Sequence, residues 1–354
     1  MAILRSDRSS ELEGYPPADP DAPSPEAVRD LIAGEAEGDP GPLALRRMGG
    51  GASRQVYLIE ALSGVGMRRW VLRRVPPGAG SFLALQTEYA VLEQASAAGV
   101  PVPAPLFFEP EGGRLGSAGF VMGYVEGESI GTRILRRRHY HEARRRLPDE
   151  LAEALAQIHS IPFTGLSVLP RPSNPDPAIE ACELWESVID QVGEPLPAVE
   201  AALRRLRATA PPPPQRRCLV HGDFRLGNFL IAPTGLRAVL DWELAHIGDP
   251  AEDIAWLSIR AWRFGEVQNA IGGLTSLEAF LHEYAAAGRE PPDSERLRWW
   301  AVLGNVKWAV ICAMQAHDHL TGRRRSLELA SLGRRAAEAE SEALRLLAEP
   351  RGRL

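Results

Sequence analysis

With 354 residues, 45% of them hydrophobic, the chain is long enough for one large domain or for two lobes sharing a cleft. A formal net charge of -6 and an isoelectric point near 5.8 remove any general case for nucleic acid or an anionic membrane as partner, and leave only local basic patches to consider. Cys182, Cys218 and Cys312 lie too far apart for a zinc or disulfide framework, so reduced, buried thiols are expected.

The first residues are too polar for a signal peptide and no apolar run approaches a membrane span, which predicts a cytoplasmic protein. Residues 1–24, rich in Pro, Asp and Ser, read as a mobile arm. A first helix starts with Ser24 as N-cap and Pro25 at the first helical position. From Leu43 the pattern turns to strands: LALRRM and RQVYLIEAL flank the turn GGGAS, whose glycines let backbone amides approach a phosphate. Gly50, Gly51 and Ser53 are the candidate phosphate contacts there. The next strand, RRWVLRRV, alternates, so Val71 and Arg73 share one face and Leu72 and Arg74 the other, and one arginine points inward. In the helix SFLALQTEYAVLEQASAAG, Glu88 stands beside a buried stripe of Leu85, Tyr89 and Leu92.

The prolines of VPVPAPLFFEP suit an edge strand or loop, and GFVMGYVEGES is an apolar strand running into a polar, glycine-containing hinge. GTRILRRRHYHEARRRL concentrates arginines between Arg133 and Arg146, with two readings: a solvated helix face, or a rim for a phosphate-bearing molecule. Pro148 and Asp149 begin a helix with Leu151, Leu155 and Ile158 inward and His159 near its end as a packed, hydrogen-bonded histidine. The last hundred or so residues read as amphipathic or apolar helices whose tryptophans belong to the core. Lys307, the only lysine, is either a pocket charge or a snorkelling, paired side chain.

The chemistry concentrates in CLVHGDFRLGNFLIAPTGLRAVLDWELAHIGDPAEDIAWL, Cys218 to Leu257. Apolar runs ending at His221, covering Phe229 to Ile231 and ending at Asp241 are separated by turns, which puts His221, Asp223, Asn228 and Asp241 at strand ends and loops beside one another. Phosphoryl transfer asks for that set: a carboxylate to receive the acceptor hydroxyl's proton, and an amide oxygen and second carboxylate to hold magnesium.

HGDFRLGN followed by LDWE resembles the aminoglycoside phosphotransferase family of small-molecule kinases, related in fold to protein kinases. The resemblance implies an α+β, protein-kinase-like two-lobe fold, with a small antiparallel sheet in a nucleotide-binding N-lobe (25–124) and a mainly helical catalytic and acceptor-binding C-lobe (125–354). It implies Asp223 as catalytic base, Asn228 and Asp241 as magnesium ligands, and His221, Asp253 and His159 as supports of the catalytic loop. On the nucleotide side it sets the glycine turn over ATP, puts Arg73 where such folds usually carry lysine with Glu88 as partner, and makes Met122, Gly123, Tyr124 and Val125 the edge of the adenine pocket. The expected activity is transfer of the γ-phosphate of ATP to a hydroxyl of a small molecule. VLRRVPPG together with the central stretch is most similar to the branch associated with acyl-CoA dehydrogenases, which implies a hydroxyacyl or hydroxyacyl-CoA acceptor. Two alternatives stand beside this: a catalytically silent nucleotide- or acyl-CoA-binding module, and a metal-dependent phosphoester hydrolase using His221, Asp223, Asp241, His246 and Asp249.

Overall fold

The computed structural model describes residues 22–33, 42–48, 54–63, 66–75, 83–166, 168–170 and 172–349. Contacts divide the chain into two compact units, Met1–Ser81 with Pro105–Tyr124 and Phe82–Ala104 with Val125–Leu354. Residues 82–104 thus fall with the second unit, although they precede the last strands of the first.

In the first unit, helix α1 (Pro25–Ile32) starts where the Ser24 hydroxyl accepts the Ala27 N–H and Pro25 occupies a position that needs no N–H. The sheet comprises β1 (Leu43–Arg47), β2 (Gln55–Ser63), β3 (Gly66–Arg74), β4 (Pro105–Glu109) and β5 (Gly119–Gly123), antiparallel throughout in the order β1-β2-β3-β5-β4. Pro105 is confined to an edge strand, where a missing donor breaks no ladder. Alternation sends Trp70 and Leu72, with their cross-strand partners Ile59, Tyr57 and Val121, into one cluster with Val28, Leu31 and Ile32 of α1. Val71 and Arg73 pair with Met122 and Phe120, so Arg73 lies on the sheet face turned away from α1.

The second unit is mainly helical: α2 (Leu85–Ala97), α3 (Gly131–Arg136), α4 (His141–Ile158), α5 (Pro177–Val192), α6 (Pro197–Ala208), α7 (Ala251–Ser258), α8 (Leu277–Ala286), α9 (Ser294–Leu320) and α10 (Leu327–Ala348). Four short strands interrupt them: β6 (Cys218–Val220), β7 (Phe229–Ala232), β8 (Gly235–Val239) and β9 (His246–Gly248). The architecture is therefore α+β, with an antiparallel five-stranded sheet in one unit and helices dominating the other. The helix expected from Pro148 instead begins at His141 and runs through that proline. A proline inside a helix costs about 3 kcal/mol, and here burial of Ala143, Leu147 and Leu151 on a continuous face outweighs it. His246–Gly248 forms β9, because three residues suffice to pair with β6. The core of α9 is almost wholly buried from Trp299 to Val310, packed against α5, α6, α7 and α10.

All three cysteines are free and buried, and burial pushes the thiols of Cys182 and Cys312 up to about 12. Among the described residues no helix is long and apolar enough to cross a membrane.

Leu72 is fully buried at the centre of the first unit's core. Leu72→Ala should lower unfolding stability by about 2–5 kcal/mol, read from the urea midpoint followed by circular dichroism. An unchanged midpoint would mean that the α1-facing side of the sheet is not a packed core.

Candidate active site

Residues 221–228 connect β6 to β7, and β8 leads to Asp241, all within the second unit. The loop is held from behind by the fully buried Asp253 in the first turn of α7. Asp253 Oδ2 accepts the His221 N–H at 2.7 Å and Oδ1 the Gly222 N–H at 2.9 Å. His159, at the end of α4, places Nε2 3.2 Å from Oδ2 and Nδ1 2.7 Å from the Tyr284 hydroxyl on α8. A carboxylate oxygen only accepts, so Nε2 carries hydrogen and donates to Asp253. Burial alone would push the Asp253 carboxyl up, but His159 and the His221 amide hold it below the usual carboxylate range.

Gly222 has φ +82°, and a Cβ there would lie 2.4 Å from the Leu244 carbonyl oxygen, so only glycine lets the backbone pass. His221 is also fully buried. Its Nδ1 accepts the Asp223 N–H at 3.1 Å, so Nε2 is protonated and donates to the Leu240 carbonyl at 3.0 Å. That arrangement needs a neutral ring, and burial lowers the His221 pKa in keeping with it.

The same contacts bring the motif residues together. The Leu240 N–H donates to the Asn228 carbonyl at 2.8 Å while its carbonyl takes the His221 bond, which fixes the residue before Asp241 against both ends of the loop. Asn228 Nδ2 donates to the Asp223 carbonyl at 2.9 Å and to Asp223 Oδ2 at 2.6 Å. Because the amide nitrogen makes both bonds, Asn228 Oδ1 takes no hydrogen bond among the described residues. Asp241 adopts φ +69°, a left-handed conformation uncommon for a non-glycine residue and concentrated at functional sites. An amide oxygen and a carboxylate, both hard oxygen donors, fit a magnesium ion better than a soft metal.

Two residues around Asp223 have no counterpart in the reading of the sequence. Arg225 Nε and Trp256 Nε1 both donate to Asp223 Oδ1, at 2.8 and 2.7 Å, leaving the Asp223 side chain 14% exposed. Arg225 stacks on Trp262 at 4.4 Å and Trp262 packs on Trp256. The only sequence signal was position: Arg225 is two residues past Asp223, and Trp256 is one helical turn past Asp253. Tryptophan at helical spacing signals burial well and a hydrogen bond to a distant loop not at all.

His246 and Asp249, needed as further ligands by the hydrolase alternative, are committed elsewhere. His246 Nε2 lies 3.1 Å from Glu252; partial burial opposes its protonation, but the Glu252 carboxylate outweighs it and pushes the pKa up to about 9. Asp249 accepts from Arg296, from Trp300 Nε1 at 3.0 Å and from the Ala251 N–H at 2.9 Å. Among the described residues no group of three or more His, Cys, Asp or Glu side chains could hold a metal ion, so the five-ligand set has no basis in the geometry.

The remaining sequence candidates are distributed as follows. Glu88 is buried in α2, in the second unit; Arg73, Met122, Gly123 and Tyr124 belong to the first unit, and Val125 begins the last stretch of the second. Gly50, Gly51 and Ser53 lie outside the described residues.

The family model described as the phosphotransferase enzyme family matches residues 44–300. The chain belongs to that family. Among curated relatives, acyl-CoA dehydrogenase family member 11 of Gallus gallus is 30% identical over 224 residues, 61% of this chain and 28% of that protein. The chain thus corresponds to little more than a quarter of that relative's length. Among solved structures, a Ralstonia eutropha protein described as an aminoglycoside phosphotransferase superposes with TM-score 0.72 at 22% identity, covering 92% of this chain and 98% of that one. Spectinomycin phosphotransferase, solved with ADP and spectinomycin, superposes with TM-score 0.60 at 12% identity, covering 90% and 98%. The fold of this phosphotransferase family member is accordingly the kinase-like one, an antiparallel sheet in one unit and a mainly helical second unit.

Asp253→Asn removes the buried charge that three donors converge on, so it should cost about 3–5 kcal/mol of stability at neutral pH, measured by urea denaturation. Since the Asp253 pKa is lowered in the folded state, its contribution is present above the ordinary carboxylate pKa and lost as pH falls through the depressed value. The stability curves of the wild type and of the Asp253→Asn variant should therefore converge in acid, and a constant gap between them would contradict the assignment.

Proposed function

We propose that the protein transfers the γ-phosphate of ATP to a hydroxyl of a small molecule, with Asp223 as the base. The observation that carries this is the hydrogen-bonded cluster in which Asp223, Asn228 and the residue before Asp241 are tied to one loop. A carboxylate has about four acceptor sites. At Asp223, Arg225 and Trp256 occupy both sites on Oδ1 and Asn228 takes one on Oδ2, so Oδ2 keeps the site open for an incoming hydroxyl.

In the proposed reaction the acceptor oxygen bonds to the γ-phosphorus, its proton passes to Asp223 Oδ2, the bond from the γ-phosphorus to the β,γ-bridging oxygen breaks, and ADP leaves. Asn228 and Asp241 would hold magnesium, which when bound neutralises charge on the nucleotide phosphates. Little covalent work is asked of the protein beyond this; positioning and electrostatics carry the rate. On the nucleotide side the proposal assigns Arg73, with its charge and planar fork, to the phosphates with Glu88 as the carboxylate expected to partner that arginine, Gly50, Gly51 and Ser53 to phosphate contacts as well, and residues 122–125 to the adenine.

For the acceptor we propose a hydroxyacyl or hydroxyacyl-CoA compound. Two observations support that class. Relatives of Gallus gallus and Mus musculus that match carry the name acyl-CoA dehydrogenase family member. In addition, Arg133, Arg145 and Arg146 pair with Glu128, Glu142 and Glu150, but Arg136, Arg137 and Arg138 are exposed and have no carboxylate partner among the described residues. Such a triplet can meet the phosphates of an acyl carrier.

Incubation with magnesium and γ-labelled ATP, against a panel of hydroxyacyl thioesters, sugars, amino alcohols and aminoglycosides, tests both levels. Label is expected in a hydroxyacyl product; label only in an aminoglycoside would refute the acceptor class. Asp223→Asn should lower turnover by about 10²–10⁴-fold while nucleotide binding persists. Magnesium-dependent stabilisation by ATP with no label transferred to anything would point instead to a silent nucleotide-binding module.

A further inference from the structure

Lys307 is the single lysine in the chain; the other 39 of its 40 Lys and Arg residues are arginine. It stands in the middle of α9, in the most deeply buried stretch of the second unit, with its side chain only 6% exposed. A buried ammonium is costly unless its three donors and its charge are met, so its surroundings indicate what it is there to hold.

Its Nζ donates to the carbonyl of Gly222, the residue immediately before Asp223. It sits 4.4 Å above the ring of Trp256, whose Nε1 donates to Asp223 Oδ1, and 5.8 Å from the ring of Trp185 on α5. Glu252 Oε1, on α7, lies 3.8 Å away, and the same carboxylate is shared with His246 through Oε2. The peptide units around Gly222 are thereby gripped from two sides: the N–H by Asp253 and the carbonyl by Lys307. The side chain that follows is gripped through Trp256. A compact point charge suits a site beneath one carbonyl and one ring face, where the wide planar fork of arginine does not.

We infer that Lys307 is a positioning residue for Asp223, setting the loop through the Gly222 carbonyl and the carboxylate through Trp256. The role rests on the phosphotransfer reading above. It adds α9, far away in sequence, to the elements that fix the base. It also separates two duties that the motif leaves merged: Asn228 orients Asp223 Oδ2 from within the loop, while Lys307 and Trp256 hold Oδ1 and the backbone from the helices.

Two measurements test it. Lys307→Met keeps the length and burial of the side chain but removes the ammonium. Its kcat for phosphate transfer from magnesium-ATP, to water or to any acceptor found in the panel, should fall about 100-fold, the scale of a base displaced by an ångström, with KM for the nucleotide little changed. A wild-type kcat in folded Lys307→Met overturns the inference, as does a loss confined to KM. The second measurement needs no variant, because a chain with one lysine gives one lysine Cε–Hε signal when grown on ¹³C-labelled lysine. That signal should lie upfield of free lysine, from the Trp256 ring face, and should move when magnesium-ADP is added. A signal at the free-lysine position, or one indifferent to magnesium-ADP, overturns the inference even if Lys307→Met fails to fold. Wild-type protein that transfers phosphate to nothing overturns the phosphotransfer reading instead, and an upfield signal in that case separates the two failures.

Discussion

The site depends on one buried charge. Asp253 has no contact with solvent, and a carboxylate taken out of water must be met by donors or it costs several kcal/mol. Its donors are the backbone N–H groups of His221 and Gly222 and the imidazole of His159. Two of the three belong to the loop that carries Asp223, so satisfying the charge and shaping the loop are one event. His159 comes from α4 and leans on Tyr284 of α8, which ties three helices to the same two peptide N–H groups.

A second constraint acts through the backbone. Gly222 passes within van der Waals reach of the Leu244 carbonyl in a left-handed conformation, and Asp241 adopts one as well. Strain of this kind persists only where surrounding bonds over-determine it. Here they do: Leu240 is bound at its N–H by Asn228 and at its carbonyl by His221, immediately before the strained residue. His221 consequently works as a neutral brace between the two strand ends, with both ring nitrogens already in use.

What could be read from the sequence follows from how local each feature is. Strands announced by alternation, such as β2 and β3, and a capped helix such as α1 depend on neighbours within a few residues, and they stand where alternation and capping put them. The motif from His221 to Asp241 is compact enough that turns and short strands bring its members together. Features whose cause lies far along the chain were not legible. The stretch of α4 before Pro148 is helical because its apolar face is buried, which overrides the proline's local preference. Trp256 reads as core and Lys307 as a pocket charge or a snorkelling, paired side chain, and both are buried; but Trp256 bonds a residue 33 positions away and Lys307 one 85 positions away, and no local periodicity encodes such a bond.

The Asn228 amide joins the two halves of the proposed chemistry. Its nitrogen is spent on Asp223 Oδ2, and that choice turns its oxygen away from the base and leaves it without a donor among the described residues. An amide has only these two ends, so orienting the base and offering an oxygen to a cation are consequences of a single rotamer. A rotation that freed the nitrogen would release Asp223 Oδ2 and redirect the oxygen together. Replacement by aspartate would keep an oxygen for the metal but set like charges against each other at the Oδ2 contact. In the proposed chemistry the residue at 228 would answer to both sides, to a carboxylate that needs a donor and to a magnesium ion that would need an acceptor, and asparagine supplies both.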